Sequence, residues 1–284
     1  MLVTRRGSVL HLVTHPDHGR LAGDLAARWG NDRFRAPEAR PALLRAATHH
    51  DDGWAELDDR PAYSEAAQRP AHFLELGLEQ TVGPYRRGVD AVYAEDPHAG
   101  ALVSMHWAGL YSTRWGLQGG APVGHPLAGE VVAQEERRWV AALRESWGYE
   151  GLRSRFEADS WHAYEVLQTL DFLALALSLL DLSQPTRSED PVFMPVTLPT
   201  GDQPPGARLI PGVPTDVGGE HVELTVRVAA PGRVILDPYP LDAPELTVEL
   251  PGRELEDQPY SEAEAVDAYH AAPVRVTAIT LAAA

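Results

Sequence analysis

WHAYEVLQTLDFLALALSLLDL, residues 161–182, is apolar on nearly all sides and predicts a long helix buried at the centre of the fold. Asp171 lies in the middle of this stretch, between Leu170 and Phe172. A carboxylate among apolar side chains costs free energy unless it is paired, hydrogen-bonded or bound to a metal. A salt bridge to a buried arginine, or a cap on a neighbouring helix, would satisfy Asp171 as well as a metal ion would.

The residues before this stretch also predict helices, and the first of them carries a histidine on its apolar face. Thr14 is a suitable N-cap and Gly30 a suitable stop for that helix. His18 shares one face with Leu25 and Trp29. The further helices are predicted over about residues 38–51, 82–94, 98–114 and 130–147. A core histidine bonded to a backbone carbonyl is the simpler interpretation of His18.

A second histidine, His50, ends the helix predicted over residues 38–51 and is followed at once by Asp51. Neutral imidazole and carboxylate together suit divalent zinc, iron, manganese or nickel. The neighbouring His49 and Asp52 could exchange roles with this pair, and a solvated helix terminus would explain the dipeptide by itself. His106 lies on another apolar helix. One metal centre between the four helices would explain all of these polar residues together.

The residues after about 184 change in character and alternate between apolar and polar types with a period of two. Strands are predicted at residues 221–228, 233–240, 245–250 and 274–281, with turns at Pro-Gly pairs and a short helix over 261–270. We therefore expect a mainly α fold with a small C-terminal antiparallel β unit, α+β overall. The expected division is a helical domain over 1–184 and a β-rich subdomain over 185–284. The run SVLHLVT, residues 8–14, is a further β-like segment that could complete the β unit.

Composition excludes several chemistries. All 24 cationic side chains are arginine, and the chain has no cysteine, so lysine Schiff bases and thiolate chemistry are ruled out. Ten of the 12 histidines lie at or before His162. A net charge of −17 disfavours nucleic acid as a partner, and no apolar run is long enough to predict a membrane span. We expect a cytoplasmic protein whose oligomeric state the sequence leaves open.

The order His…His-Asp…Asp on successive helices resembles the HD superfamily of metal-dependent phosphohydrolases. The chain is more closely similar to a bacterial family of that broad type, domain of unknown function family 3891. The segments that carry this resemblance are HPDHGRLAGDLAARWG (15–30), AATHHDDGWAELDDRP (46–61), ALVSMHWAGLY (101–111), LQTLDFLALAL (167–177) and VILDPYPL (234–241). They extend over nearly the whole chain, and the resemblance implies an HD-like helical bundle.

The resemblance also implies a set of metal ligands: His18, His50, Asp51 and Asp171. His106 would be a further ligand or a substrate contact. Some HD-type enzymes bind two metals through additional histidines, for which the candidates here are His72, His98, His106 and His125. The family pattern has a histidine near Thr81, and this chain has none there, which puts a complete two-metal site in doubt. His72 could substitute for it, although a surface-loop histidine is the simpler interpretation.

The function implied by this set is a metal-dependent hydrolase that acts on a small anionic substrate through a metal-activated water. Asp51 would orient the water, and Asp52 or Glu56 would act as the base. His106 and Arg114 would bind the substrate. The cofactor would be a divalent ion, iron, manganese, zinc or nickel. Two alternatives stay open: an iron-dependent HD-type oxygenase, and a non-catalytic HD-like binding module.

Overall fold

The computed structural model describes residues 1–112, 125–149, 151–194 and 206–284. The helices are α1 (His15–Ala27), α2 (Arg40–His49), α3 (Ala55–Asp59), α4 (Leu78–Glu95), α5 (Pro97–Tyr111), α6 (Pro126–Trp147), α7 (Arg153–Leu179) and α8 (Glu262–Ala271). The strands are β1 (Leu2–Arg6), β2 (Val9–Val13), β3 (Tyr63–Ser64), β4 (Arg69–Pro70), β5 (Val192–Phe193), β6 (Ala207–Pro214), β7 (His221–Ala230), β8 (Arg233–Asp237), β9 (Glu245–Glu256) and β10 (Arg275–Ala283).

Helix α7 is the central helix that the apolar run predicts. All residues from Val166 to Leu179 are buried, and α1, α2, α5 and α6 pack against the helix. Helix α7 also contacts β1 and β6 of the sheet. The predicted cap of α1 is also confirmed, because the Thr14 side chain accepts a hydrogen bond from the backbone N–H of Asp17.

The strands form a much larger sheet than the sequence predicts. Eight strands pair in the order β1-β2-β9-β10-β8-β7-β6-β5, and β3 pairs with β4 separately. The pairs β10–β8 and β5–β6 are parallel, and the other pairs of the large sheet are antiparallel. The predicted fold class, a mainly α helical bundle with a small C-terminal antiparallel β unit, is therefore wrong. The protein combines its helices with one large, curled, mixed sheet.

Two local features explain why the sheet was underestimated. Strand β6 contains Pro211 and Gly212, a pair typical of loops, and the pairing with β7 shifts register between Ile210 and Val213 to accommodate them. Strand β9 runs through Pro251–Gly252, where a turn was predicted; it pairs with β10 up to and including Gly252 and with β2 from Arg253 onward. Because these Pro-Gly pairs lie within strands, reading each of them as a turn made the predicted strands too short and too few.

The amino-terminal strands join this sheet, as the sequence allowed. Residues Val9–Leu12 of β2 pair with Arg253–Glu256 of β9. Leu2 and Val13 belong to the main hydrophobic core, whereas Val3 and Leu10 belong to a smaller core. The β1–β2 hairpin is thus buried on both faces, which positions α1 directly after it. Among the described residues, no helix is long and apolar enough to cross a membrane.

Candidate metal centre

Helices α1 and α2 pack closely enough to bring a histidine from each together. Gly19 and Gly23 lie four residues apart on α1 and both face Thr48 of α2. A Cβ atom added at Gly19 would lie 2.7 Å from the Thr48 carbonyl oxygen, and one at Gly23 would overlap the Thr48 hydroxyl. Because glycine lets the two backbones approach, the rings of His18 and His50 lie 5.3 Å apart between centroids.

The turn after α2 directs the next two polar side chains inward. His50 keeps helical backbone angles, whereas Asp51 leaves the helix with φ −113° and ψ 8°. Gly53 then packs against α4, where a Cβ atom would overlap the Pro84 carbonyl oxygen. The side chains of His50 and Asp51 are both buried. The glycine of the HDDGW segment thus holds this turn against α4.

Helices α5 and α7 contribute His106 and Asp171. Both residues are buried, with 2% and 3% of their surface exposed. The rings of His106 and His50 lie 5.0 Å apart between centroids. Side chains from α1, the end of α2, α5 and α7 therefore converge on one point in the core.

The closest polar distances join two histidines to two carboxylates. His18 Nε2 lies 3.1 Å from Asp171 Oδ1 and 3.9 Å from Asp51 Oδ2. His50 Nε2 lies 3.5 Å from Asp51 Oδ2 and 3.6 Å from Asp171 Oδ1. His50 donates a hydrogen bond from Nδ1 to the Ala47 carbonyl at 2.9 Å. Nε2 is therefore the one ring nitrogen of His50 that is free to face the carboxylates.

These side chains form two overlapping groups that could hold a metal ion. The first group is His18, His50 and Asp51, and the second is His50, His106 and Asp171; within each, the donor atoms lie within 4.8 Å of one another. Metal–ligand bonds are about 2.0–2.3 Å, so donors on opposite sides of one ion lie about 4–4.6 Å apart. The four residues predicted as ligands are thus brought together, with His106 beside them.

The electrostatics of the cluster favour a positive charge. Burial alone would lower the pKa of His50, but the nearby carboxylates of Asp51 and Asp171 outweigh it and raise that pKa to about 9. In the described part of the chain, His50 Nε2 and Asp51 Oδ1 are buried without a hydrogen-bond partner. A buried polar atom without a partner costs free energy, and a cation between the carboxylates would remove that cost.

The other predicted site residues lie elsewhere. Asp52 is exposed and accepts a hydrogen bond from His49 Nδ1 at 2.7 Å. Glu56 is exposed and pairs with Arg87 at 2.9 Å. Neither carboxylate belongs to the buried groups that could hold a metal. Arg114 lies outside the described residues.

Of the four histidines considered for a second metal, His106 alone belongs to these groups within the described ranges. His72 is buried with 1% of its surface exposed, so its assignment to a surface loop was wrong. His98 Nε2 lies 3.0 Å from the hydroxyl oxygen of Ser160, and His125 is exposed. Within the described ranges, His72, His98 and His125 therefore add no ligand to the two overlapping groups.

Sequence reasoning missed two polar features near the cluster. His15 and Asp58 form a buried pair with an Nδ1–Oδ2 distance of 2.9 Å, and the Met1 ammonium lies 2.6 Å from Asp58 Oδ1. Burial, with the charges of Asp51 and Asp171 adding to it, raises the pKa of Tyr85 far above its usual range. The position of His15 three residues before His18, on the same face of α1, could have drawn attention to His15, but no sequence pattern indicates its partner Asp58. No sequence pattern singles out the tyrosine.

Comparison with known proteins gives a family but no activity. A family model described as Protein of unknown function (DUF3891) matches residues 1–257. No curated protein and no solved structure matches the chain. The matched residues include all five side chains of the buried cluster.

Proposed function

The chain belongs to the DUF3891 family, and we propose that it is a metal-dependent hydrolase of the HD type that acts on a small anionic ester, with a phosphate ester as the first candidate. The observation that carries the proposal is the burial of three histidines and two carboxylates around one point. Buried charges of this kind are expensive to maintain, and a metal centre is the arrangement that uses all five together.

The donor set fits a single divalent ion. His18, His50, Asp51 and Asp171 would hold it, with His106 as a fifth ligand or a substrate contact. Both groups of possible ligands need His50, whose Nδ1 is already committed to the Ala47 carbonyl. One free ring nitrogen can bind one ion, which favours a mononuclear site. Imidazole with carboxylate suits iron, manganese, zinc and nickel alike.

Such an ion, when bound, would polarise a phosphoryl oxygen and lower the pKa of a water toward neutrality. Hydrolysis moves one proton from the water and returns one to the leaving oxygen. We assign the first transfer to Asp51, because its Oδ1 is buried without a hydrogen-bond partner among the described residues. Tyr85, whose pKa is raised by burial and further by the same carboxylates, stays protonated and is a candidate to donate to the leaving oxygen. Asp52, which was expected as the base, is exposed and bonded to His49.

The test begins with the metal content of protein purified without chelator, measured by plasma mass spectrometry. We expect about one divalent ion per chain and metal-dependent turnover of p-nitrophenyl phosphate or bis-p-nitrophenyl phosphate. Asp171→Asn and His50→Ala should not retain the ion, and their turnover should fall at least about 100-fold. Even the loss of an outer-shell partner typically lowers metal affinity or activity about 10–100-fold. Asp181→Asn, the same change just beyond the end of α7, is the matched control and should behave as wild type.

Other results would favour the alternatives. Bound iron with an absorbance change in air, and no phosphoester turnover, would favour an oxygenase, because the same ligands suit iron. Protein that binds no metal, and whose stability is unchanged by Asp171→Asn and His50→Ala, would exclude both enzymes. In that case the remaining candidate is a non-catalytic module.

A further inference from the structure

A second concave site lies against a different face of α5 from the metal centre. It encloses about 340 Å³ between α5, α6 and α7, with Met105 among its lining residues. Met105 and His106 are consecutive in α5, so their side chains point about 100° apart around the helix. The pocket is therefore separate from the buried cluster and needs an explanation of its own.

The walls of this pocket are unusually aromatic. Trp139 and Trp147 come from α6, and Phe156 and Trp161 come from α7. All four rings are half-buried, and among the described residues the Trp147 Nε1 atom is buried without a hydrogen-bond acceptor. Small-molecule sites combine apolar and aromatic walls with a few polar groups, and a planar ligand gains both area burial and ring contacts there.

The rim of the pocket is positive although the whole chain carries a net charge of −17. Arg153 is neutralised by Glu157, with its Nε 2.7 Å from Glu157 Oε1. Arg144, also at the rim, is exposed and forms no ion pair with any described residue. A guanidinium that is unpaired within the described ranges and lies beside aromatic walls is suited to a planar anionic group such as a carboxylate.

We propose that this pocket binds a small planar aromatic anion, an aromatic carboxylate or sulfonate, with the tryptophan rings holding the apolar body and Arg144 holding the anionic group. The volume lies within the range of ligand sites, at its small end. Val140 and Tyr149, which are 55% and 73% exposed, border the mouth and leave it open. Binding here does not depend on the metal centre, so Asp171→Asn should leave it intact.

The test compares two fluorescent probes of the same shape on the full chain. 1-Anilinonaphthalene-8-sulfonate carries an anion, and N-phenyl-1-naphthylamine is its neutral counterpart. We expect saturable binding of one sulfonate probe per chain, with energy transfer from the pocket tryptophans. Arg144→Gln should lower the affinity for the sulfonate probe about five- to tenfold and leave the affinity for the neutral probe unchanged. Arg137→Gln, an exposed arginine on the same helix that has no ion pair among the described residues, is the matched control.

A second variant tests the location. Val140→Trp places a large side chain at the exposed mouth of the pocket. It should lower the affinity for both probes more than about tenfold without changing the melting temperature. An equal loss of affinity for both probes in Arg144→Gln would refute the proposal that Arg144 binds the anionic group. Unchanged binding in Val140→Trp, or binding of many probes per chain, would overturn the site. Concentration-dependent dimerisation that Val140→Trp abolishes, with no probe bound, would show that a second copy occupies the pocket and would refute the proposal.

Discussion

Replacing Gly23 by alanine should disturb the contact that brings α1 and α2 together. The added Cβ atom would overlap the Thr48 hydroxyl oxygen and lie 3.1 Å from the Thr48 Cβ atom. That hydroxyl donates a hydrogen bond to the Leu44 carbonyl at 2.8 Å, so it is not free to turn away. At Gly19 the obstacle is instead the Thr48 carbonyl oxygen at 2.7 Å, which belongs to the backbone.

The expected magnitude is the difference between two opposing effects. Alanine in a helix interior is favoured over glycine by about 1 kcal/mol, whereas overpacking a tight contact costs about 1–3 kcal/mol and occasionally more. We expect Gly23→Ala to lower the free energy of unfolding by about 1 kcal/mol and Gly19→Ala, where the obstacle is backbone, by about 2 kcal/mol. Gly129→Ala on α6, where a Cβ atom would have nothing within 4 Å, should instead be neutral or stabilising.

Urea unfolding of the single and double variants measures these changes. Thr48→Ala removes the hydroxyl that blocks Gly23→Ala, so the double variant should recover about 1 kcal/mol of the loss. The same change should not rescue Gly19→Ala, because the backbone carbonyl remains. Metal content should fall with Gly23→Ala and recover in the double variant, because metal ligands tolerate displacements of only about 0.2 Å.

Two results would contradict this reasoning. Equal rescue of both glycine variants by Thr48→Ala would show that the side chain and the backbone do not form separate obstacles. A Gly23→Ala protein as stable as Gly129→Ala would show that α1 and α2 do not need glycine to approach. Either result would remove the packing explanation for the proximity of His18 and His50.

Three further predictions concern stability. Burial, with a smaller contribution from the Arg6 cation, lowers the pKa of His11 from 6.5 to about 3. As the pH falls, the unfolded chain therefore binds this proton before the folded chain does. Up to about 4 kcal/mol of the free energy of unfolding should be lost between pH 6.5 and pH 3. Urea midpoints should show His11→Leu to be less acid-sensitive than wild type, and parallel pH profiles would contradict this. A divalent ion at 100 times its dissociation constant should stabilise the protein by about 2.7 kcal/mol in a thermal scan, an increase that Asp171→Asn should lack; an equal increase in that variant would place the ion elsewhere. Asp58→Asn leaves the buried Met1 ammonium without its anionic partner and should cost about 3–5 kcal/mol in urea unfolding; a loss below about 1 kcal/mol would mean that the pair is solvated or the amine neutral.

The sequence predicted the helices, and several of the polar side chains that converge in the core, for one physical reason. An amphipathic or apolar helix is a local pattern, and a lone carboxylate such as Asp171 stands out against it. His18, His50 and Asp171 were singled out because each interrupts an apolar face, and the structure brings the three together. Spacing alone could not show that Asp52 is exposed and bonded to His49, because the direction of a side chain just past a helix end depends on the turn geometry.

The sheet was underestimated because strand pairing is not local. Strand β2 finds its partner about 240 residues away in β9, and no spacing rule predicts which distant strand completes an edge. Tyr85 was missed for a related reason, since its proximity to the cluster depends on how α4 packs. Long-range partners of this kind are set by the complete fold, whereas propensity and periodicity report on single elements.

The position of β10 bears on how the chain acquires its fold during synthesis. This strand lies between β9 and β8, so it joins the β1-β2-β9 half of the sheet to the β8-β7-β6-β5 half. It is the last of the described strands to leave the ribosome, and until it does the facing edges of both halves are unpaired. Contacts of such high sequence separation form slowly. The sheet therefore closes only after residues 275–283 are released, an interval in which the unpaired edges of both halves are open to aggregation.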